Sequence, residues 1–142
     1  MIYAAYGSNM NITQMAKRCP AAKRLGVGTI REYELIFCEV ATIKPCTSKE
    51  VTVVIWDLTK DCEKQLDIYE GFPHLYIKEN FKVDCDNGET VDAMVYVMAK
   101  PHCEKLVPPS KNYLQTIIDA YEQNGIWKPA FMICSDAGEY MI

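Results

Sequence analysis

Glu70 is the side chain that the sequence best equips for acid–base chemistry. The segment Lys60 to Tyr69 places Cys62, Leu66 and Tyr69 at helical spacing. Thr59 precedes it as an N-cap, Gly71 stands where a C′ glycine belongs, and Pro73 follows two residues later. Glu70 therefore falls at a helix C-terminus, where the backbone dipole disfavours negative charge. Its chain neighbours Tyr69, Gly71 and Phe72 bring no cation. Both features raise a carboxyl pKa in a buried site, and a carboxylate tuned toward neutrality suits a general base. The plain alternative is a solvated glutamate at a frayed helix end, because glutamate is mostly a surface residue.

The second chemical element is Tyr6-Gly7-Ser8-Asn9-Met10. The apolar run Ile2-Tyr3-Ala4-Ala5-Tyr6 leads into it and reads as a buried strand. Ile12, Met15, Ala16 and Cys19 follow at helical spacing, and Pro20 ends that run. Gly7-Ser8-Asn9 is thus a tight strand-to-helix turn, with Gly7 free to take a positive φ and Asn9 or Asn11 able to cap the helix. Outward-pointing N–H groups in such a turn suit an anion, although capped Gly-Ser-Asn turns without a ligand are common. Ser8 lacks a Gly-x-Ser-x-Gly context, and only His74 and His102 could serve it as base, so a serine nucleophile is the weaker reading. His74 reads as a surface or packing residue. Tyr76 and Tyr113, each near the start of an element, read as half-buried aromatics with a polar handle.

The chain that must position these groups has 142 residues, with 49% apolar and 24% charged. These values predict a single globular domain with a real core, spanning 1–142, with 126–142 as an extended C-terminal tail. A net charge of −4 and the lack of any basic run argue against nucleic acid. No apolar stretch approaches the length of a membrane helix, and no basic n-region precedes an apolar core, so neither a membrane span nor a signal peptide is expected. Seven cysteines, at 19, 38, 46, 62, 85, 103 and 134, form no Cys-x-x-Cys pair. Reduced thiols in a cytoplasmic protein are therefore expected, with neither a disulfide framework nor a structural zinc site.

Along the chain, Leu25 to Ile30 and Glu34 to Val40 read as two strands, the first with close backbone approach at its glycines. Thr42 to Glu50 reads as a loop around Pro45, and Val51 to Leu58 as a central strand. Leu75, Ile77, Phe81, Val83 and Cys85 alternate with polar residues up to the hairpin turn Asp86-Asn87-Gly88. Val91, Ala93, Val95 and Val97 alternate on the return strand. Pro101 to Pro109 reads as an irregular connection. Ser110 caps a helix from Lys111 to Asn124, with Leu114, Ile117, Ile118 and Tyr121 as its apolar stripe and Gly125 as its stop. Together these predict a strand-rich α+β domain, a small barrel or curled sheet.

Several motifs together resemble the gamma-glutamyl cyclotransferase-like family. Tyr6-Gly7-Ser8-Asn9-Met10 is similar to its signature loop, and Arg18-Cys19-Pro20 to the end of its first helix. Ala41-Thr42-Ile43-x-Pro45 resembles the segment before the central strand, and Val54-Ile55-Trp56-Asp57-Leu58-Thr59 the strand leading into the catalytic helix. Leu66-Asp67-x-x-Glu70-Gly71, followed by Tyr76, resembles the block that holds the family's catalytic glutamate, and Pro109-Ser110-x-x-Tyr113 with Asn124-Gly125 its last helix. The chain departs from the pattern at Val53 and Val54, where a glycine is frequent, and in the tail after Gly125.

The resemblance implies a small mixed β-barrel flanked by a few helices, with no metal and no organic cofactor. It implies cyclisation of a γ-glutamyl amine or γ-glutamyl amino acid to 5-oxoproline, with Glu70 as general acid and base. Tyr6, Gly7, Ser8, Asn9, Met10, Tyr76 and Tyr113 are then expected at the substrate. The partner would be that small molecule, and the resemblance leaves monomer or homodimer open. The other class to weigh is a non-catalytic binding module of the same fold, which would have no need of a carboxylate at position 70.

Overall fold

A computed structural model describes residues 1–100, 103–130 and 132. Its centre is a closed mixed barrel of five strands in the order β1-β3-β2-β4-β5. The strands are β1 (Ile2–Ala5), β2 (Lys23–Cys38), β3 (Val40–Asp57), β4 (Tyr76–Cys85) and β5 (Thr90–Met98). Helices α1 (Ile12–Arg18), α2 (Lys60–Glu70) and α3 (Lys111–Gln123) flank it. Neighbouring strands run antiparallel except β1 and β5, whose parallel contact at Tyr3 and Met94 closes the barrel. The mixed barrel of the sequence reading is thus the observed architecture.

The largest departure lies between residues 23 and 57. The two expected strands are one, β2, and the expected loop around Pro45 belongs to β3. Composition hid this because the ladder is interrupted rather than ended. Arg31 pairs with Glu50 but Tyr33 pairs with Pro45, so a bulge absorbs the polar residues between. Glu32 and Ser48 take positive φ there, and the Ser48 N–H bonds the Glu32 carboxylate at 2.9 Å. A proline beside a bulge forfeits little of the ladder. The two long strands meet at Glu39, also at positive φ.

The β4–β5 hairpin has its turn where expected, with Gly88 at φ 91. Its alternation differs from the expected one. Tyr76 is buried and Ile77 is 37% exposed, and on β5 Met94 and Tyr96 are buried along with Ala93 and Val95. The reason is that both faces of β5 are covered at residues 93–96: α2 packs on the face carrying Lys78 and Tyr96, as bonds from both to Asp67 show.

The β2–β4 contact is short, Gly28 opposite Cys85 and Thr29 opposite Asp84. The close approach expected at the glycines of this segment is realised at Gly28, where an added Cβ would lie 2.7 Å from Val83 and 2.9 Å from the Asp84 carbonyl.

The cysteine expectation needs a correction. Cys38 and Cys103, 65 residues apart, form a disulfide with Cα atoms 5.5 Å apart. The parallel bridge between Cys38 and Val107 brings the two segments together, a long-range pairing that cysteine spacing cannot reveal. Cys19, Cys46, Cys62 and Cys85 are free thiols. No helix among the described residues is long and apolar enough to cross a membrane. The expected tail falls mostly on residues outside the described ones.

Candidate active site

The position of Glu70 follows from how α2 begins, ends and is held. The Thr59 hydroxyl accepts the Cys62 N–H at 3.1 Å, the N-cap expected from the sequence. At the other end Gly71 takes the left-handed conformation, φ 65. The Phe72 N–H returns to the Asp67 carbonyl at 2.9 Å and the Gly71 N–H to that of Ile68 at 3.2 Å. These bonds form a Schellman motif, and Glu70 is the last residue before its turn. Asp67, one turn earlier, accepts from the Tyr96 hydroxyl at 2.6 Å and from Lys78, which also pairs with Glu63 at 2.7 Å. Helix α2 is thereby bolted to β4 and β5, and Glu70 has a fixed origin.

Glu70 is partly buried, and burial pushes its carboxyl up from 4.5 to about 7. The sequence neighbours supply no cation, as expected, but Arg18 from α1 lies close enough to oppose the rise, and a hydrogen bond from Asn9 opposes it further. The Asn9 amide nitrogen donates to Glu70 Oε1 at 3.0 Å and to the Tyr3 hydroxyl at 3.0 Å. Near neutral pH this carboxyl is half protonated, the state in which a group both accepts and returns protons.

The turn after β1 is a single 3-10 turn, Ser8–Met10, followed at once by α1. Asn11, not Asn9, caps α1 by accepting the Gln14 N–H at 2.9 Å, which leaves the Asn9 side chain for Glu70. The Met10 N–H is bonded to the Gly7 carbonyl at 3.0 Å. The N–H groups of Ser8 and Asn9 precede that bond and have no partner within the turn. Three long-range bonds fix the segment: Trp56 Nε1 to the Asn9 carbonyl, Asn124 to the Met10 carbonyl, and Asn11 to the Thr116 carbonyl.

Gly7 does not take the positive φ expected of it, having φ −120. Its small size matters instead. A Cβ there would sit 3.4 Å from Ala41 and 3.5 Å from the Tyr113 hydroxyl, in the cavity wall. Gly7→Ala is therefore expected to fold normally and to raise KM about tenfold in a substrate assay, with the melting temperature as control. An unchanged KM would mean that the wall at Gly7 does not meet the ligand.

Tyrosines make up most of the remaining wall. Tyr6 donates to the Tyr96 carbonyl at 2.6 Å and Tyr76 to the Ala41 carbonyl at 2.5 Å, so both hydroxyl protons are committed. Tyr113 and Tyr3 differ. Their hydroxyls accept, from the Ala41 N–H at 3.1 Å and from Asn9, and so keep a proton to donate. Burial raises the pKa of all these phenols, which keeps them neutral. The space between these rings is about 20 Å³, room for roughly one water.

The structure thus brings Tyr6, Gly7, Ser8, Asn9, Glu70, Tyr76 and Tyr113 around one cavity. It does not bring Met10, which is fully buried in the core. The Ser8 hydroxyl is 3.4 Å from an Arg18 donor, the contact of a held acceptor rather than of an activated nucleophile. Tyr3, Tyr96 and Ala41 also line the cavity and were not singled out by the sequence reading. Tyr3 lay in plain view inside the apolar run of β1, and Tyr96 was masked by the alternation assigned to β5.

Comparison with known proteins gives a consistent result. A model of the family described as gamma-glutamyl cyclotransferase, AIG2-like matches residues 3–115. The gamma-glutamylcyclotransferases of Homo sapiens and Bos taurus are each 27% identical over 138 residues, covering 88% of this chain and 72% of the relative. A solved gamma-glutamyl cyclotransferase superposes with TM-score 0.80 at 26% identity, over 88% of this chain and 80% of the other. An uncharacterised Homo sapiens protein superposes with TM-score 0.82 at 24% identity, over 99% and 87%, and speaks for the fold alone.

Proposed function

The chain belongs to the gamma-glutamyl cyclotransferase, AIG2-like family, and on that premise we propose that it cyclises a γ-glutamyl amine or γ-glutamyl amino acid to 5-oxoproline with release of the amine or amino acid. The observation that carries this reading is Glu70, a carboxyl raised to about 7 beside the Gly7–Asn9 turn in a tyrosine-walled cavity. The substrate brings its own nucleophile. Its α-amino nitrogen attacks the γ-carbonyl carbon, a five-membered ring closes, and the bond from that carbon to the amide nitrogen breaks. In becoming the lactam N–H the α-ammonium loses two protons, and in leaving as an ammonium the amide nitrogen gains two. Glu70 relays them between the two nitrogens. Intramolecular attack needs orientation more than activation, and orientation is worth roughly 7–11 kcal/mol. The turn N–H groups and the Tyr113 hydroxyl are the donors for the carboxylate and for the oxyanion of the tetrahedral intermediate.

The test is 5-oxoproline release from a panel of γ-glutamyl amino acids and amines. Product formation by the wild-type protein supports the reading and begins to rank substrates. No product across the panel from folded protein, together with a thermal shift caused by 5-oxoproline, would replace it with a binding module that keeps the family's pocket.

A further inference from the structure

We propose that Arg18 is the positioning residue of this site: by holding the side-chain oxygen of Asn9 it keeps the amide nitrogen turned toward Glu70 throughout the proton relay. Arg18 Nη1 donates to Asn9 Oδ1 at 2.5 Å, and Asn9 Nδ2 donates to Glu70 Oε1 at 3.0 Å. The guanidinium is itself held over the Tyr69 ring, 3.2 Å from its centroid, on the residue just before Glu70. One cation thus spans α1, the 3-10 turn and the end of α2.

The need for such a residue follows from the chemistry of an amide beside a carboxyl. A carboxylate accepts, so it would orient Asn9 correctly unaided. A protonated carboxyl can also donate, and a free asparagine would then rotate and present its oxygen to that proton. The proton meant for the leaving nitrogen would be trapped on the protein. With Arg18 on the oxygen, rotation would set the amide N–H groups against a guanidinium that has no acceptor. Asn9 therefore stays a donor to Glu70 in both protonation states, and the Glu70 proton is left for the substrate.

The titratable groups that act on or around Glu70 are Arg18 from α1, Tyr3 from β1, Tyr6 just after it, Tyr76 from β4, Tyr96 from β5 and Tyr113 from α3. Burial keeps the tyrosines neutral, so the charge that acts on Glu70 is that of Arg18. Removing it takes away a stabiliser of the carboxylate form.

This inference rests on Glu70 as the acid–base group, and its primary test needs no substrate. The protein is labelled with ¹³C at glutamate carboxyls, and the Glu70 signal is identified by its loss in Glu70→Gln. In Arg18→Met the Glu70 titration is expected to move to higher pH by roughly one unit; in Arg18→Lys, which keeps the charge and one donor, it is expected to return most of the way. In turnover, Arg18→Met is expected to lower kcat about tenfold. Combining Arg18→Met with Asn9→Ala is expected to give little further loss beyond Asn9→Ala alone, because Arg18 acts through Asn9. An unmoved titration in Arg18→Met overturns the proposal, and so do rate losses that multiply, which would put Arg18 on the substrate itself. If Arg18→Met does not fold, Arg18→Gln carries the same expectation. Failure of the 5-oxoproline assay counts against the proposed reaction, and the titration still decides the role of Arg18.

Discussion

Glu70→Gln is expected to leave the protein folded and to lower 5-oxoproline formation by at least about a hundredfold, the usual order for loss of a general base. Full turnover in this variant would remove Glu70 from the mechanism. In the wild-type protein, with Glu70 as the base of the proposed reaction, kcat/KM is expected to rise with pH through about 7, where the Glu70 carboxyl loses its proton. Stability moves the other way. The unfolded carboxyl releases its proton near 4.5 and the folded one near 7, so the folded state binds more protons in between. Stability therefore falls as pH rises across that window, by at most about 3 kcal/mol. Glutamine has no such titration. Glu70→Gln is thus expected to melt above the wild type at pH 8 and to lose that advantage near pH 4.

What the sequence revealed of this site was local, and what it concealed was distant. Thr59, Gly71 and Pro73 delimit α2 through caps that act within a few residues, so the place of Glu70 at a helix end was legible. Asn11 and Asn9 could not be told apart as caps, because the choice depends on what Asn9 finds elsewhere, and what it finds is Glu70, 61 residues away. Arg18 was visible only as part of a resemblance, since on an isolated helix it is one more basic residue in the last turn. Tyr69 was grouped with Cys62 and Leu66 by helical spacing and, unlike them, is 49% exposed, its ring used against Arg18. The same reasoning explains the errors in the fold. Pattern rules describe uninterrupted ladders with one covered face, whereas β3 carries a bulge at residues 46–49 and β5 is covered on both faces at residues 93–96. The Cys38–Cys103 bond depends on a bridge between segments that no local rule connects.

The second large effect is expected at Gly28, on the fold rather than on the chemistry. The β2–β4 seam of the barrel rests on two residue pairs, and Gly28 is in one of them. A Cβ at that position would be 2.7 Å from Val83 Cγ1, 2.9 Å from the Asp84 carbonyl oxygen and 3.0 Å from Ile55 Cδ1. A rotamer change could relieve the side-chain contacts, but the carbonyl belongs to the β4 backbone and can retreat only if the strand does. Gly28→Ala is therefore expected to cost about 3 kcal/mol, the upper part of the range for overpacking, read as a lower midpoint in urea unfolding. Gly26→Ala is the control. Gly26 has φ 146 and open space around it, so alanine there bears a conformational cost of roughly 1–3 kcal/mol without a clash. Equal midpoints for the two variants would mean that close packing at the seam contributes nothing. The contrast with Glu70→Gln then separates two demands on one small barrel. Gly28→Ala loses stability while its folded fraction keeps the Glu70 network, and Glu70→Gln gains stability while losing turnover. If Gly28→Ala instead lost turnover in proportion to nothing in its unfolding curve, β4, which carries Tyr76 at one end and Asp84 near the other, would be transmitting strain from the seam to the tyrosine wall.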